Sequence, residues 1–121
     1  MTPFEELVTE ANRHLHNEAG GDPTHPGHRL RVLLLLNLSQ GEQREQIWRD
    51  IREAGFMPCP DRYNPDIGGL CSLESVARAL GVPASTAANE VEKFVASDIG
   101  RRLGFSWELI FPDSEKCCSL H

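Results

Sequence analysis

The sequence predicts a mainly α (α+β) fold: a helical domain with a tightly turned helix pair in its second half and a short C-terminal strand. Three observations predict it. Two capping signals precede apolar residues at helical spacing, Gly81-Val82-Pro83 joins two amphipathic stretches, and residues 105–111 alternate strictly. The 121 residues suit one domain and suffice to bury a core without disulfides or a metal. That domain is expected over residues 1–111. It comprises N-terminal helices over 1–56, a long connecting loop over 57–71, the helix pair over 72–98 and the strand over 105–111. Residues 112–121 form a loose polar tail.

The first helix is marked by Thr2-Pro3-Phe4-Glu5, with Thr2 as N-cap, Pro3 in the first turn and Glu5 reaching back. Phe4, Leu7, Val8, Ala11 and Leu15 then recur at helical spacing. Glycine and proline content makes residues 20–28 a loop. Arg29–Leu38 is nearly continuously apolar, so periodicity cannot separate a buried strand from a buried helix, although its leucines favour helix. Ser39-Gln40-Gly41-Glu42 reads as a second capping box. The helix it opens carries Ile47, Trp48, Ile51 and Ala54 on one side and ends at Gly55. Prolines and the Gly68-Gly69 pair make 57–71 a connection of the length that is more often functional than accidental.

Ser72 caps a short helix over Leu73–Leu80, and a second helix runs from about Ala84 to about Asp98. The stretch Glu74–Val91, ESVARALGVPASTAANEV, resembles the helix-turn-helix of bacterial DNA-binding regulators. Ala77 is small where the helices cross, and Gly81 takes the left-handed turn position. Val76, Leu80, Val82 and Val91 pack between the helices. Ala87 is smaller than such motifs place there, and Pro83 stands where they carry a serine or threonine cap. The resemblance implies that Ser85, Thr86 and Asn89 face base edges, and that Arg78, Lys93, Arg101 and Arg102 contact the phosphate backbone. The implied partner is duplex DNA.

Composition argues partly against this. The formal net charge is −6, whereas phosphate binding needs a positive footprint. Glu90 and Glu92 would oppose phosphates. The alternative is an acidic protein-interaction module with the same shape and a basic protein partner.

Phe105, Trp107, Leu109 and Phe111 alternate as one face of a half-buried strand stopped by Pro112. A lone strand needs a partner. That partner is Arg31–Leu36 if it is a strand, or the same strand of a second subunit in a homodimer. Cys59, Cys71, Cys117 and Cys118 lack the CxxC spacing of a metal site, and His25 and His28 add only scattered ligands, so no metal or cofactor is expected. Surface placement is the default for His14 and His16, and the carboxylates read as solvated helix faces. Trp48, Trp107 and Phe94 read as core. No phosphate loop, nucleophile elbow or HExxH occurs, so catalysis is not expected. Absence of a long apolar run excludes a spanning helix. The acidic start, Met1–Glu10, is unlike a secretory leader, and a cytoplasmic protein with reduced thiols is expected.

Overall fold

The computed structural model describes residues 1–116 and is mainly helical. Helix α1 spans Pro3–Asn17, and its capping box forms as the sequence predicts. The Thr2 side chain accepts from the Glu5 N–H at 3.1 Å, and Glu5 accepts from the Thr2 N–H at 3.0 Å. Helix α2 spans Pro26–Leu38, so the ambiguous apolar segment is a helix that begins earlier than expected. His25 caps it: its Nδ1 accepts from the Gly27 N–H at 3.0 Å, and Pro26 occupies the first turn. The loop expected over 20–28 therefore stops at His25.

The near-continuous apolar character of α2 follows from its position. It packs against α1 and against helix α3 (Gly41–Ala54), and also touches helices α4 (Leu73–Leu80) and α5 (Ala84–Ala96). A helix covered on several sides has little need of a polar stripe. Leu30, Leu34 and Leu35 of α2 join Leu7, Ile47, Ile51, Leu80, Val91 and Phe94 in one core. Two details of α3 differ from expectation. Gln40 is its N-cap and makes no side-chain cap bond, while the Ser39 hydroxyl turns back to the Leu36 carbonyl. Trp48 lies on the edge of the apolar stripe and is 36% exposed rather than core.

The connection over 57–71 contains a β-hairpin. Strand β1 (Arg62–Asn64) pairs antiparallel with β2 (Gly68–Leu70) in the register Tyr63↔Gly69. At the turn, the Asn64 side-chain carbonyl accepts from the Asp66 and Ile67 N–H groups. Strand β3 (Glu115–Lys116) lies on the other side of β1, in the order β2-β1-β3. Residues 113–116, assigned to a loose tail by the sequence, are thus tied to the hairpin, with Arg62 donating to Ser114 and Asn64 to the Asp113 carbonyl. Cys117 and Cys118 lie outside the described residues.

The hairpin is fastened to α4. The Asp61 carboxylate accepts from the Ser72 N–H and hydroxyl, and the Ser75 hydroxyl donates to the Cys59 carbonyl. Ser72 also caps α4 by accepting from the Ser75 N–H at 3.1 Å. Gly81 closes α4 at φ 73°, with the Gly81 N–H on the Arg78 carbonyl and the Val82 N–H on Ala77. Three residues later α5 begins, with Pro83 as a cap that makes no side-chain bond. Ala77 is buried between neighbours, and Ala87 and Val91 are fully buried.

After α5 come two short helices, α6 (Asp98–Arg102) and α7 (Trp107–Ile110). The strand expected over 105–111 is not formed. Ser106 caps α7 by accepting from the Leu109 N–H, which forces helical spacing on the segment. Phe105 is buried edge-on against Phe94 with ring centroids 5.3 Å apart, and Trp107 stacks on Phe111 at 5.6 Å. This removes the reason for a second subunit, because most of the apolar residues are covered within the chain and only Leu109 is about half exposed. No described helix is long and apolar enough to cross a membrane.

Gly81→Val should destabilise the fold by more than about 1 kcal/mol, because a β-branched residue is strained at this positive φ. Ala77→Leu should cost about 1–3 kcal/mol by overpacking. Chemical denaturation of both variants measures this, and wild-type stability in both would contradict the packing described.

Candidate functional site

Helix α5 divides the molecule's polar chemistry into two faces. Ala87, Val91 and Phe94 point into the core. Opposite them, Ser85, Asn89, Glu92 and Ala96 form an exposed row at helical spacing. Thr86 is half-buried beside that row. Glu92 accepts a hydrogen bond from the Trp107 indole N–H at 2.8 Å, which ties α7 to α5.

The structure does not gather the seven residues that the sequence assigned to a DNA contact. Ser85 and Asn89 share the outer row. Arg78 is exposed on α4. Arg101 is ion-paired with Asp98 at 3.0 Å, and Arg102 reaches Glu6 of α1 at 2.8 Å. Lys93 is exposed one turn beyond Asn89, beside the outer row, and with Arg102 it lines a cleft on the flank of α5.

That cleft is a feature the sequence reading missed. It has a volume of about 770 Å³ and lies between α1, the start of α2, α5 and α6. Its floor is a buried ion pair. Arg31 Nε of α2 donates to Glu10 Oε2 of α1 at 3.0 Å, and Arg31 Nη1 donates to the Gly27 carbonyl at 2.9 Å. The same guanidinium lies 5.3 Å from the centre of the Phe94 ring of α5. Arg13 donates to both Glu10 and Glu18, at 2.7 and 2.8 Å. Glu10 is therefore no solvated helix-face carboxylate. Burial pushes its pKa up, but the Arg13 and Arg31 guanidiniums outweigh this and hold it below the ordinary carboxylate value.

His14 is likewise buried, at 3% exposure, rather than on the surface as expected from its position in α1. Its ring meets the His25 ring edge-on at 5.2 Å, and its Nδ1 has no hydrogen-bond partner. Gly27 makes this approach possible. A Cβ there would fall 2.6 Å from the His14 ring and 2.9 Å from a Glu90 carboxylate oxygen. Burial, aided by the positive charge of Arg31, lowers the His14 pKa, against the opposing pull of Glu18 and Glu90. Burial lowers that of His28 too. The one available sequence signal was Pro26 at the head of α2, which marks a helix start and so brings His25 and Gly27 against α1.

The described residues contain no cluster of three or more His, Cys, Asp or Glu side chains placed to hold a metal ion. Cys59 and Cys71 are free thiols on either side of the hairpin, and burial raises the pKa of Cys71.

These shifts set a pH dependence. A histidine with a lowered folded pKa favours the neutral form on folding. Its contribution is complete above the unfolded value of about 6.5 and is lost as pH falls through the folded value. Glu10 adds a second stage, complete above about 4.3 and lost as pH falls further. The thermal midpoint should hold steady from about pH 8 to 7 and fall below about 6.5. His14→Asn should make that first fall shallower. An unchanged slope in the variant would show that His14 does not titrate against folding.

Comparison with family models, with curated proteins and with solved structures finds no match to this chain, so its functional reading rests on its own residues.

Proposed function

We propose that this chain is a small cytoplasmic DNA-binding regulator or accessory protein that presents α5 to duplex DNA. The observation that carries the reading is the exposed row on α5. Short polar side chains, Ser85 and Asn89, stand uncovered near the start of a helix that follows a tight turn. An asparagine there reaches the base edge of adenine bidentately, and Thr86 beside it offers a methyl to thymine. Exposed Arg78 and Arg101 supply backbone contacts. The Arg101–Asp98 pair is no obstacle, because both side chains are well exposed and such a pair contributes little.

A second reading has its own support. Residues 72–102 carry four acidic and four basic side chains, and Glu92 sits in the outer row itself. A face without positive excess suits a protein partner with basic groups better than it suits phosphate.

A titration of the protein against a pool of random duplexes at low and moderate salt separates the two. On an enriched site, Asn89→Ala should cost about 1–3 kcal/mol and relax base preference. Arg101→Ala should weaken binding to all sequences and lower the slope of log affinity against log salt by about one. Absence of binding at low salt would overturn the DNA reading and leave the interaction module.

A further inference from the structure

We infer that the cleft between α1, α2 and α5 is a binding site for a small zwitterion of the α-amino acid class, held between Glu90 and Lys93. Nearly every other charged side chain lining the cleft has an ion-pair partner within the protein, the exposed Asp98–Arg101 pair being the weakest. Glu10 is shared by Arg13 and Arg31, Glu18 takes Arg13, Glu6 takes Arg102, and Asp98 takes Arg101. Among the described residues lining the cleft, only the Glu90 and Lys93 side chains carry a formal charge with no ion-pair partner.

These two side chains stand three residues apart on α5, where opposite charges ordinarily pair with each other. Here they do not, and both border the same cavity. A carboxylate and an ammonium that border one cavity without pairing complement the charges of a ligand that carries the reverse pair. The ligand's ammonium would meet Glu90 and its carboxylate Lys93 through charge-assisted hydrogen bonds.

The wall beside these two charges is built from buried polar groups. His14 lines the cleft, is 97% buried by its 3% exposure, and leaves Nδ1 without a partner. The volume of about 770 Å³ exceeds what an amino acid needs. Gly27 keeps the wall open, since any side chain there would strike His14 and Glu90.

Because Glu90 and Lys93 belong to α5, an occupant would bear on the helix that also carries Ser85 and Asn89 on its outer face. That regulatory consequence rests on the DNA reading. The binding itself does not, and its test contains no DNA.

The full-length, 15N-labelled protein is titrated with a pool of the protein amino acids, then with each singly. Parallel titrations use sodium acetate and methylammonium chloride, each of which supplies only one of the two charges. The expected result is saturable shift changes at residues 10–14, 27–31 and 90–97 with one or more amino acids and with neither salt. Glu90→Gln and Lys93→Met should each weaken that binding about tenfold or more, as loss of a hydrogen bond to a charged group does. Arg49→Gln, on the exposed side of α3, should leave it unchanged. No saturable change with any amino acid would overturn the proposal, as would equal changes with either salt or undiminished binding in both cleft variants.

Discussion

The structure depends on where one guanidinium sits. Arg31 is buried at the centre of α2, and it meets three neighbours at once: Glu10 on α1, the Gly27 carbonyl of its own helix and the Phe94 ring on α5. A charge taken out of water costs several kcal/mol unless its partners are well placed. Arg31 therefore has a contact to satisfy on each of three helices, α1, α2 and α5. The leucines on either side supply the apolar burial, and the arginine restricts which arrangement of α1, α2 and α5 can use it.

From that arrangement follow both polar faces of the molecule. With Phe94 seated over Arg31, α5 must turn Ser85 and Asn89 outward and leave Glu90 and Lys93 on its flank. With Glu10 drawn down onto Arg31, Arg13 follows it and recruits Glu18. The cleft lies beside this network, which joins α1 to α2 and, through Arg102 and Glu6, α1 to α6. Burial in the wall of the cleft, with Arg31 nearby, lowers the His14 pKa.

Much of this frame was legible in the sequence because its signals are local. Thr2, Pro3 and Glu5 set the start of α1, and Ser72 and Gly81 bound α4, through contacts within a few residues of chain. The segment 105–111 misled because its apolar residues alternate. Two of the four, Trp107 and Phe111, also stand four apart and stack on a helix once Ser106 caps it. The hairpin over 62–70 was hidden by short strands in a glycine- and proline-rich stretch, and its hold on α4 comes from Asp61 reaching Ser72. The cleft was not legible at all. Glu10 and Arg31 lie 21 residues apart, and nothing in either helix's periodicity marks the pairing or the burial of His14.

The central claim, that the Arg31–Glu10 contact couples α1 to α2, is tested most directly by a double-mutant cycle. Glu10→Leu, Arg31→Met and the double variant are unfolded in urea alongside the wild type. Glu10→Leu strands the buried Arg31, and Arg31→Met leaves Glu10 with Arg13 alone, so the account predicts that the double variant loses less than the sum, with a coupling of about 1–3 kcal/mol. Additivity within about 0.5 kcal/mol would contradict it and make Arg31 an ordinary packed side chain.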